Sequence, residues 1–197
     1  MRALTLLLAL MAAPMLAALP AHAIPVPLST TLSGANEVPP VVSPGTGQVL
    51  AILDAAANTL FLNVTFSGLL ANTSAAHIHC CAPLGTNAAV ATTVPAFPGF
   101  PLGVTAGSYS QTLDLTSVGS YNPQFITNNG GTVASAEAVL IAGLLAGNTY
   151  LNIHTTLNPG GEIRGQLRVP EPASLLLLAS ALLGFGTAAA WRKRTRR

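Results

Sequence analysis

Two histidines and two cysteines lie next to one another in the segment AHIHCC, which runs from Ala76 to Cys81. If this segment is a β-strand, residues two apart point to the same face. His77 and His79 are then expected on one face and Ile78 on the opposite face. Two imidazoles that project together from a strand can bind one metal ion.

A third histidine, His154, lies in the strand-like segment NIHT, where it shares a face with Asn152. If this strand neighbours AHIHCC, three imidazoles converge, and with water or a carboxylate they form a workable zinc or copper site. Glu162, in the turn-like segment GGEIRG, is the carboxylate that we select. The alternative, which we favour from the sequence alone, is structural: the histidines bind loop backbone groups or fill a polar pocket.

Cys80 and Cys81 are the only cysteines of the chain, so a distant pairing within one chain is excluded. In an exported protein adjacent thiols tend to oxidise, and we expect a vicinal disulfide that stiffens the end of the histidine strand. Three alternatives stay open: free thiols, metal binding together with the histidines, or a link between two molecules. A catalytic thiol is not favoured, because the sequence has no Cys-x-x-Cys motif and no flanking basic residue.

Isolated carboxylates occur in two further motifs, Glu37 in GANEVPP and Glu162, with Arg164, in GGEIRGQL. As functional groups they would serve as acid, base or metal ligand. We favour turn-capping and ion-pair roles, because isolated carboxylates rarely work alone. The sequence contains no Gly-x-Ser-x-Gly motif and no phosphate-binding glycine loop. No catalytic residue is therefore assigned, and a non-enzymatic role is favoured.

Charge is scarce in the central part of the chain. Residues 24–169 carry two arginines and five acidic residues, so the net charge of +2 for the whole chain comes from its basic end. Two arginines cannot neutralise a phosphate backbone, which argues against nucleic-acid binding. A surface wetted by Ser, Thr and Asn instead of charges suits contact with a polysaccharide.

The first 23 residues have the order of a secretory signal peptide. Arg2 precedes a short apolar run, Leu4–Ala13, and the sequence Ala21-His22-Ala23 supplies the small residues of a cleavage site. We predict cleavage by signal peptidase between Ala23 and Ile24. This cleavage removes His22 and leaves three histidines in the mature chain.

The other end of the chain has the features of a membrane segment. Residues 173–191 contain no charged side chain, and an apolar run of that length can cross a membrane as a helix. The basic tail 192–197 fixes that end on the cytoplasmic side. The domain before it is therefore expected outside the inner membrane. A permanent C-terminal anchor is the alternative to transient anchoring.

Residues 170–197 resemble the PEP-CTERM sorting signal of Gram-negative bacteria. The motif Pro170-Glu171-Pro172 comes first, the apolar segment follows, and the basic cluster ends the chain. The resemblance implies recognition by an exosortase in the inner membrane, removal of the tail, and delivery to the cell surface or to extracellular polymer.

Between the two ends, short β-rich segments alternate with turn residues. About seven of them read as strands, with AAANT as a hairpin turn between the second and the third. GTVASAEAVLIAGLLAG and the shorter NPQFITNN are predicted helices. The proline-rich segment 94–104 is predicted to be a loop that holds its two phenylalanines under the sheet. This order predicts one antiparallel β-sandwich, immunoglobulin-like or dismutase-like with Greek-key connections, and one or two short helices.

Several of these segments together resemble the CHRD (chordin-type) domain. The matching motifs are LSGANEVPPV, AHIH and NIHTTLNPGGEIRGQL, in that order within residues 24–169. The resemblance implies a β-sandwich extracellular module and defines no reaction. We expect it to act as a non-enzymatic structural or binding protein. The partners that we expect are exopolysaccharide or other envelope proteins. GLLANTSAAHIH is also similar to a short part of copper/zinc superoxide dismutases, but the dismutase zinc loop has no counterpart, so dismutase activity is not expected.

Overall fold

The computed structural model describes residues 24–170, and these contain eight β-strands and two α-helices. The strands are β1 (Val26–Ser33), β2 (Thr46–Asp54), β3 (Thr59–Ser67), β4 (Thr73–Cys80), β5 (Ala89–Val90), β6 (Gly107–Asp114), β7 (Thr149–Thr155) and β8 (Ile163–Leu167). The helices are α1 (Pro123–Asn128) and α2 (Val133–Leu145), and Gly34–Asn36 and Val118–Ser120 form single 3₁₀ turns.

All eight strands belong to one sheet, in the order β5-β4-β7-β8-β1-β2-β3-β6, and every pairing between neighbours is antiparallel. The prediction of a mainly antiparallel β-fold is confirmed. Two separate sheets, as a sandwich requires, are not confirmed, because β1 pairs with β2 along its length and also with β8. The sheet curls so that apolar side chains from both of its halves share one core.

The β2–β3 hairpin shows how the sequence sets this core. Its four-residue turn begins at Ala55, where the carboxylate of Asp54 accepts hydrogen bonds from backbone N–H groups, and ends at Asn58, which has a φ of 55°. Every second residue of β3 then points inward, because side chains alternate along a strand. These residues are Leu60, Leu62, Val64 and Phe66, all buried.

Strand β7 is unusual because all seven of its residues are buried. Leu151 and Ile153 belong to the hydrophobic core, whereas Tyr150, Asn152 and His154 lie on the opposite face. Loops cover this second face, as shown by the hydrogen bonds from His154 to Pro159 and between Tyr150 and Ala88. A polar layer is therefore buried between the sheet and its connecting loops.

Both predicted helices are confirmed. α1 begins after Asn122, whose side chain accepts from Gln124 N, and has Pro123 in its first turn. α2 begins after Thr132, whose hydroxyl accepts from Ser135 N in a reciprocal cap.

The proline-rich loop also follows the prediction. Phe97 and Phe100 are buried in the core, and the ring of Phe100 stacks on Phe66 with 5.5 Å between centroids. Apolar burial of the two rings fixes a segment whose prolines prevent it from pairing as a central strand.

Within residues 24–170 no helix is long and apolar enough to cross a membrane. The predicted signal peptide, 1–23, and the predicted membrane helix at 173–191 lie outside the described residues, as do Glu171 and Pro172 of the sorting motif.

Candidate metal centre

The three histidines converge on one face of the sheet. β4 and β7 are neighbours, and their register sets His77 opposite Asn152 and His154 opposite Ala75. The ring centroid of His77 lies 4.8 Å from that of His79 and 4.6 Å from that of His154. One ligand nitrogen from each of the three residues lies within 4.8 Å of the others. Ile78 lies in the hydrophobic core on the opposite face, as the strand alternation predicts.

Backbone carbonyls orient two of these rings. Nδ1 of His79 donates to the carbonyl oxygen of Ala88 at 2.8 Å, and Nδ1 of His154 donates to that of Pro159 at 2.9 Å. A neutral imidazole that donates through Nδ1 presents a lone pair at Nε2. Nε2 of His79, Nε2 of His154 and Nδ1 of His77 are buried and have no hydrogen-bond partner in the protein. Each ring therefore offers one free nitrogen, and a backbone carbonyl that accepts from the other ring nitrogen, as for His79 and His154, is typical of metal-binding histidines.

Burial keeps the three imidazoles uncharged at neutral pH. It lowers the pKa of His77 to about 3, assisted by the neighbouring His154 and His79. Burial likewise lowers the pKa of His79 to about 4, although the hydrogen bond to Ala88 opposes the shift. The pKa of His154 is also lowered by burial. Because only the neutral imidazole binds a metal, the cluster is available as a ligand set without prior loss of protons.

Aromatic and cationic groups pack against His79. Its ring stacks on that of Tyr150, and the guanidinium of Arg164 lies over the same Tyr150 ring. Arg164 Nη1 donates to Asn87 Oδ1 at 2.7 Å, and its Nε donates to the carbonyl of Asn36 at 2.6 Å. The guanidinium thus hydrogen-bonds to both the loop before β5 and the 3₁₀ turn after β1. Both segments cover the face of the sheet that carries the histidines.

Glu37 lies beside Asn152 and Arg164 at the end of this polar layer. Its side chain is buried, and Oε2 lies 4.0 Å from Nε of Arg164. Burial raises the pKa of Glu37 to about 7, and the nearby guanidinium limits the rise. The ion pair that the sequence suggested for Arg164 is therefore with Glu37 and not with Glu162.

Glu162 is not part of the histidine cluster. Among residues 24–170, the group of side chains close enough to share one ion consists of His77, His79 and His154. The buried carboxylate of Glu162 instead accepts three hydrogen bonds of 2.7 Å, from two loops and from the end of β7, and a longer one from Asn158. Burial opposes its ionisation, but these hydrogen bonds outweigh burial and lower its pKa. The donors at 2.7 Å are Ser43 Oγ, Leu70 N and Thr155 Oγ1.

The two cysteines lie at the end of β4, beside His79 but outside the histidine cluster. Their sulfur atoms are joined. Cys80 is buried and Cys81 is exposed. Helix α2 passes close to both sulfurs at Gly143, where a Cβ would lie 2.6 Å from Cys80 Sγ and 2.7 Å from Cys81 Sγ.

Sequence reasoning did not assign Asn152 and Tyr150 to the centre. The available signal was the alternation in TYLNIHT, where a polar or aromatic residue occupies every second position of a strand whose other face is apolar. Such alternation indicates a two-faced strand, but it does not show whether the polar face meets water or a covering loop.

The geometry can be compared with known protein families. A family model described as the CHRD domain matches residues 28–167, which is most of the chain. The chain belongs to the CHRD family. The CHRD match contains all three histidines together with Glu37, Asn152 and Glu162. A second model, the PEP-CTERM protein-sorting motif, matches residues 168–197.

The PEP-CTERM motif marks the CHRD protein for export, exosortase processing and sorting to the cell envelope. No curated protein and no solved structure matches the chain. The destination of this CHRD protein is therefore given by its sorting motif and not by its family.

Proposed function

We propose that this CHRD domain is a cell-surface or extracellular-matrix module that binds one zinc or copper ion through His77, His79 and His154. The observation that carries the proposal is the set of three buried imidazoles, each with an unpartnered nitrogen, within ligand distance of one another. Buried polar atoms without partners are costly, so their concentration at one place indicates a bound group. Neutral imidazoles suit both zinc and copper.

The proposed route to the surface follows from the two chain ends. Signal peptidase removes residues 1–23, and the segment 173–191 holds the domain transiently in the inner membrane of a Gram-negative cell. Exosortase then acts at Pro170-Glu171-Pro172 and releases the domain to the surface. In that oxidising compartment the Cys80–Cys81 pair is a vicinal disulfide, which leaves the metal to nitrogen ligands.

The test is the metal content of the exported full chain, purified in mild detergent without chelator and measured by elemental mass spectrometry. We expect close to one zinc or copper per chain. His77→Ala and His79→Ala should each weaken metal binding by at least about a hundredfold, because even the loss of a group that hydrogen-bonds to a ligand lowers metal affinity about 10- to 100-fold. Glu162→Gln is the matched control and should keep the metal. A folded wild-type protein that takes up neither added zinc nor added copper refutes the proposal.

A metal-free matrix module is the second candidate, and one feature of the sheet favours it. On the outward face of β1, β2, β3 and β6, charged side chains occur only at strand ends. The exposed hydroxyl and amide side chains of this face are Ser29, Thr31, Gln48, Asn63, Thr65, Ser108, Ser110 and Thr112. Such a face can hydrogen-bond to exopolysaccharide or to envelope proteins without an ion. If it does, substitution of the histidines changes only stability, and Asn63→Ala with Ser110→Ala weakens retention on purified exopolysaccharide.

A further inference from the structure

The polar layer contains two unpartnered oxygens besides the three histidine nitrogens. Within the described part of the chain, seven buried side-chain atoms have no hydrogen-bond partner, and five of them lie in this layer. The two oxygens are Oε1 of Glu37 and Oδ1 of Asn152. Both are acceptors when the carboxyl is ionised. The Asn152 side chain hydrogen-bonds to the Glu37 carboxyl, but Oε1 and Oδ1 themselves have no partner in the protein.

The fold places these two oxygens together and next to the histidines. Asn152 lies directly opposite His77 and two residues before His154 on the same strand face. Glu37 reaches the same place from the loop after β1. A Cβ built on Gly161 would lie 2.7 Å from Asn152 Oδ1 and 2.8 Å from Glu37 Oε1, so both oxygens contact the same short stretch of backbone.

Charge distinguishes the two oxygens of Glu37. Oε2 faces the guanidinium of Arg164, which also contacts Asn36 and Asn87. Oε1 lies near Gly161 and the Asn152 amide and has no hydrogen-bond partner of its own. A donor carried by a cation would satisfy both the hydrogen-bonding need and the negative charge.

We infer that Asn152 Oδ1 and Glu37 Oε1 accept the two protons of a water molecule bound to the metal, so that the fourth coordination position is open to exchange. The inference rests on the proposed three-histidine function. Three neutral imidazoles occupy three positions of a tetrahedral ion, and a solvent ligand in the fourth is the arrangement of reactive centres and not of closed structural ones. The class of ligand for this position is a small oxygen or nitrogen donor that replaces water.

A surface cleft lies next to Glu37 and to the loop that contacts His154. It has a volume of about 230 Å³ and is lined by Glu37, Val38, Pro39 and the 159–161 loop. Pro159 in that loop supplies the carbonyl that orients His154. Glu37, which carries one of the two oxygens, thus lies in the wall of the cleft.

The experiment uses the full exported chain loaded with one equivalent of Cu²⁺ and frozen in water enriched in ¹⁷O. We expect an electron paramagnetic resonance spectrum with nitrogen couplings from the histidines and an ¹⁷O coupling from one exchangeable water. Copper bound by nitrogen without any ¹⁷O coupling overturns this inference but leaves the metal site intact. Failure to bind copper or zinc overturns both.

Azide, a small anion that displaces metal-bound water, tests the role of the oxygens. Asn152→Ala removes one acceptor, so the water is held less tightly and the affinity for azide should rise about fivefold, the value of one hydrogen bond. Glu37→Gln keeps an acceptor oxygen and should retain the ¹⁷O coupling. Thr149→Val is the matched control, because its hydroxyl is also buried and unpartnered on β7. A hundredfold loss of copper in Asn152→Ala or Glu37→Gln would instead make that residue a direct ligand and refute the inference.

Discussion

The imidazole of His79 stacks on the ring of Tyr150, with 4.6 Å between centroids and 8° between the planes. The two residues face each other in the β4–β7 register, and both contact Ala88. Nδ1 of His79 donates to the carbonyl of Ala88, whose N–H donates to the Tyr150 hydroxyl at 3.1 Å. The loop that orients His79 is therefore itself held by the aromatic side chain that stacks on His79.

Removal of the Tyr150 hydroxyl should loosen the metal without removing a ligand. In Tyr150→Phe the N–H of Ala88 loses its acceptor, and the carbonyl that orients His79 becomes less fixed. We expect metal affinity to fall about tenfold, the lower end of the range for loss of a group that orients a ligand, as measured by competition with a chelator.

Tyr109→Phe is the control for this experiment. The Tyr109 hydroxyl is buried without a partner, so its loss should leave the free energy of unfolding equal or slightly higher, with metal affinity unchanged. Equal metal affinity in Tyr150→Phe and Tyr109→Phe would contradict the orienting role of Tyr150.

Acid should destabilise the metal-free protein through its histidines. Their folded pKa values lie below the unfolded value of 6.5, at about 4 for His79 and about 3 for His77. The histidine contribution to the free energy of unfolding is complete above pH 6.5 and is lost as the pH falls from 6.5 through the pKa values of the folded protein. For His79 the loss reaches about 3 kcal/mol at pH 4. Glu37 opposes it in part, because its raised pKa favours the folded state as pH falls from 7 to 4.5.

Urea unfolding between pH 7 and pH 4 in the presence of chelator measures this dependence. We expect the free energy of unfolding to fall with acid, and the slope against pH to decrease by up to about 1.4 kcal/mol per pH unit in His79→Gln, the value for one proton. A slope that is the same in His79→Gln and wild type would show that His79 is not held neutral by burial.

Glu162 should act on stability and not on metal binding. Its carboxylate accepts from Ser43, Leu70 and Thr155, which lie in three different segments. The amide of Glu162→Gln turns a donor toward some of these groups, so we expect a loss of about 2 kcal/mol in the free energy of unfolding. Asp54→Asn in the exposed β2–β3 turn is the control, with a loss below about 0.5 kcal/mol. Loss of metal in Glu162→Gln at unchanged stability would restore Glu162 as a ligand.

Gly143 should resist substitution although it lies inside a helix. Alanine favours a helix interior by about 1 kcal/mol over glycine. At Gly143, however, the new Cβ would lie 2.6 Å from Cys80 Sγ and 2.7 Å from Cys81 Sγ, and overpacking of a core costs about 1–3 kcal/mol. We therefore expect Gly143→Ala to be destabilised in thermal unfolding.

Gly119→Ala provides the comparison for Gly143→Ala, because the nearest atom to its added Cβ is Ser117 Oγ at an ordinary 3.5 Å. It should change the melting temperature little. If Gly143→Ala proves as stable as Gly119→Ala, α2 does not pack on the two sulfurs as described.

The sequence by itself determined the local features. Strand alternation placed His77 and His79 on one face and Ile78 in the core, and the turn residues set the β2–β3 hairpin. The segment GTVASAEAVLIAGLLAG predicted α2. The motifs identified the family and the sorting signal. These features depend on residues close together in the chain, where periodicity and turn chemistry act directly.

Only the tertiary structure decided which distant residues meet. The β4–β7 register brought His154 to His77, and β8 brought Arg164 to Glu37. Glu162, in contrast, accepts hydrogen bonds from two loops and from the end of β7. β1 joined the two halves into one sheet by pairing on both sides. Sequence alone could not choose these partners, because strand pairing order and loop cover depend on burying one common core, and many pairings satisfy the same alternation.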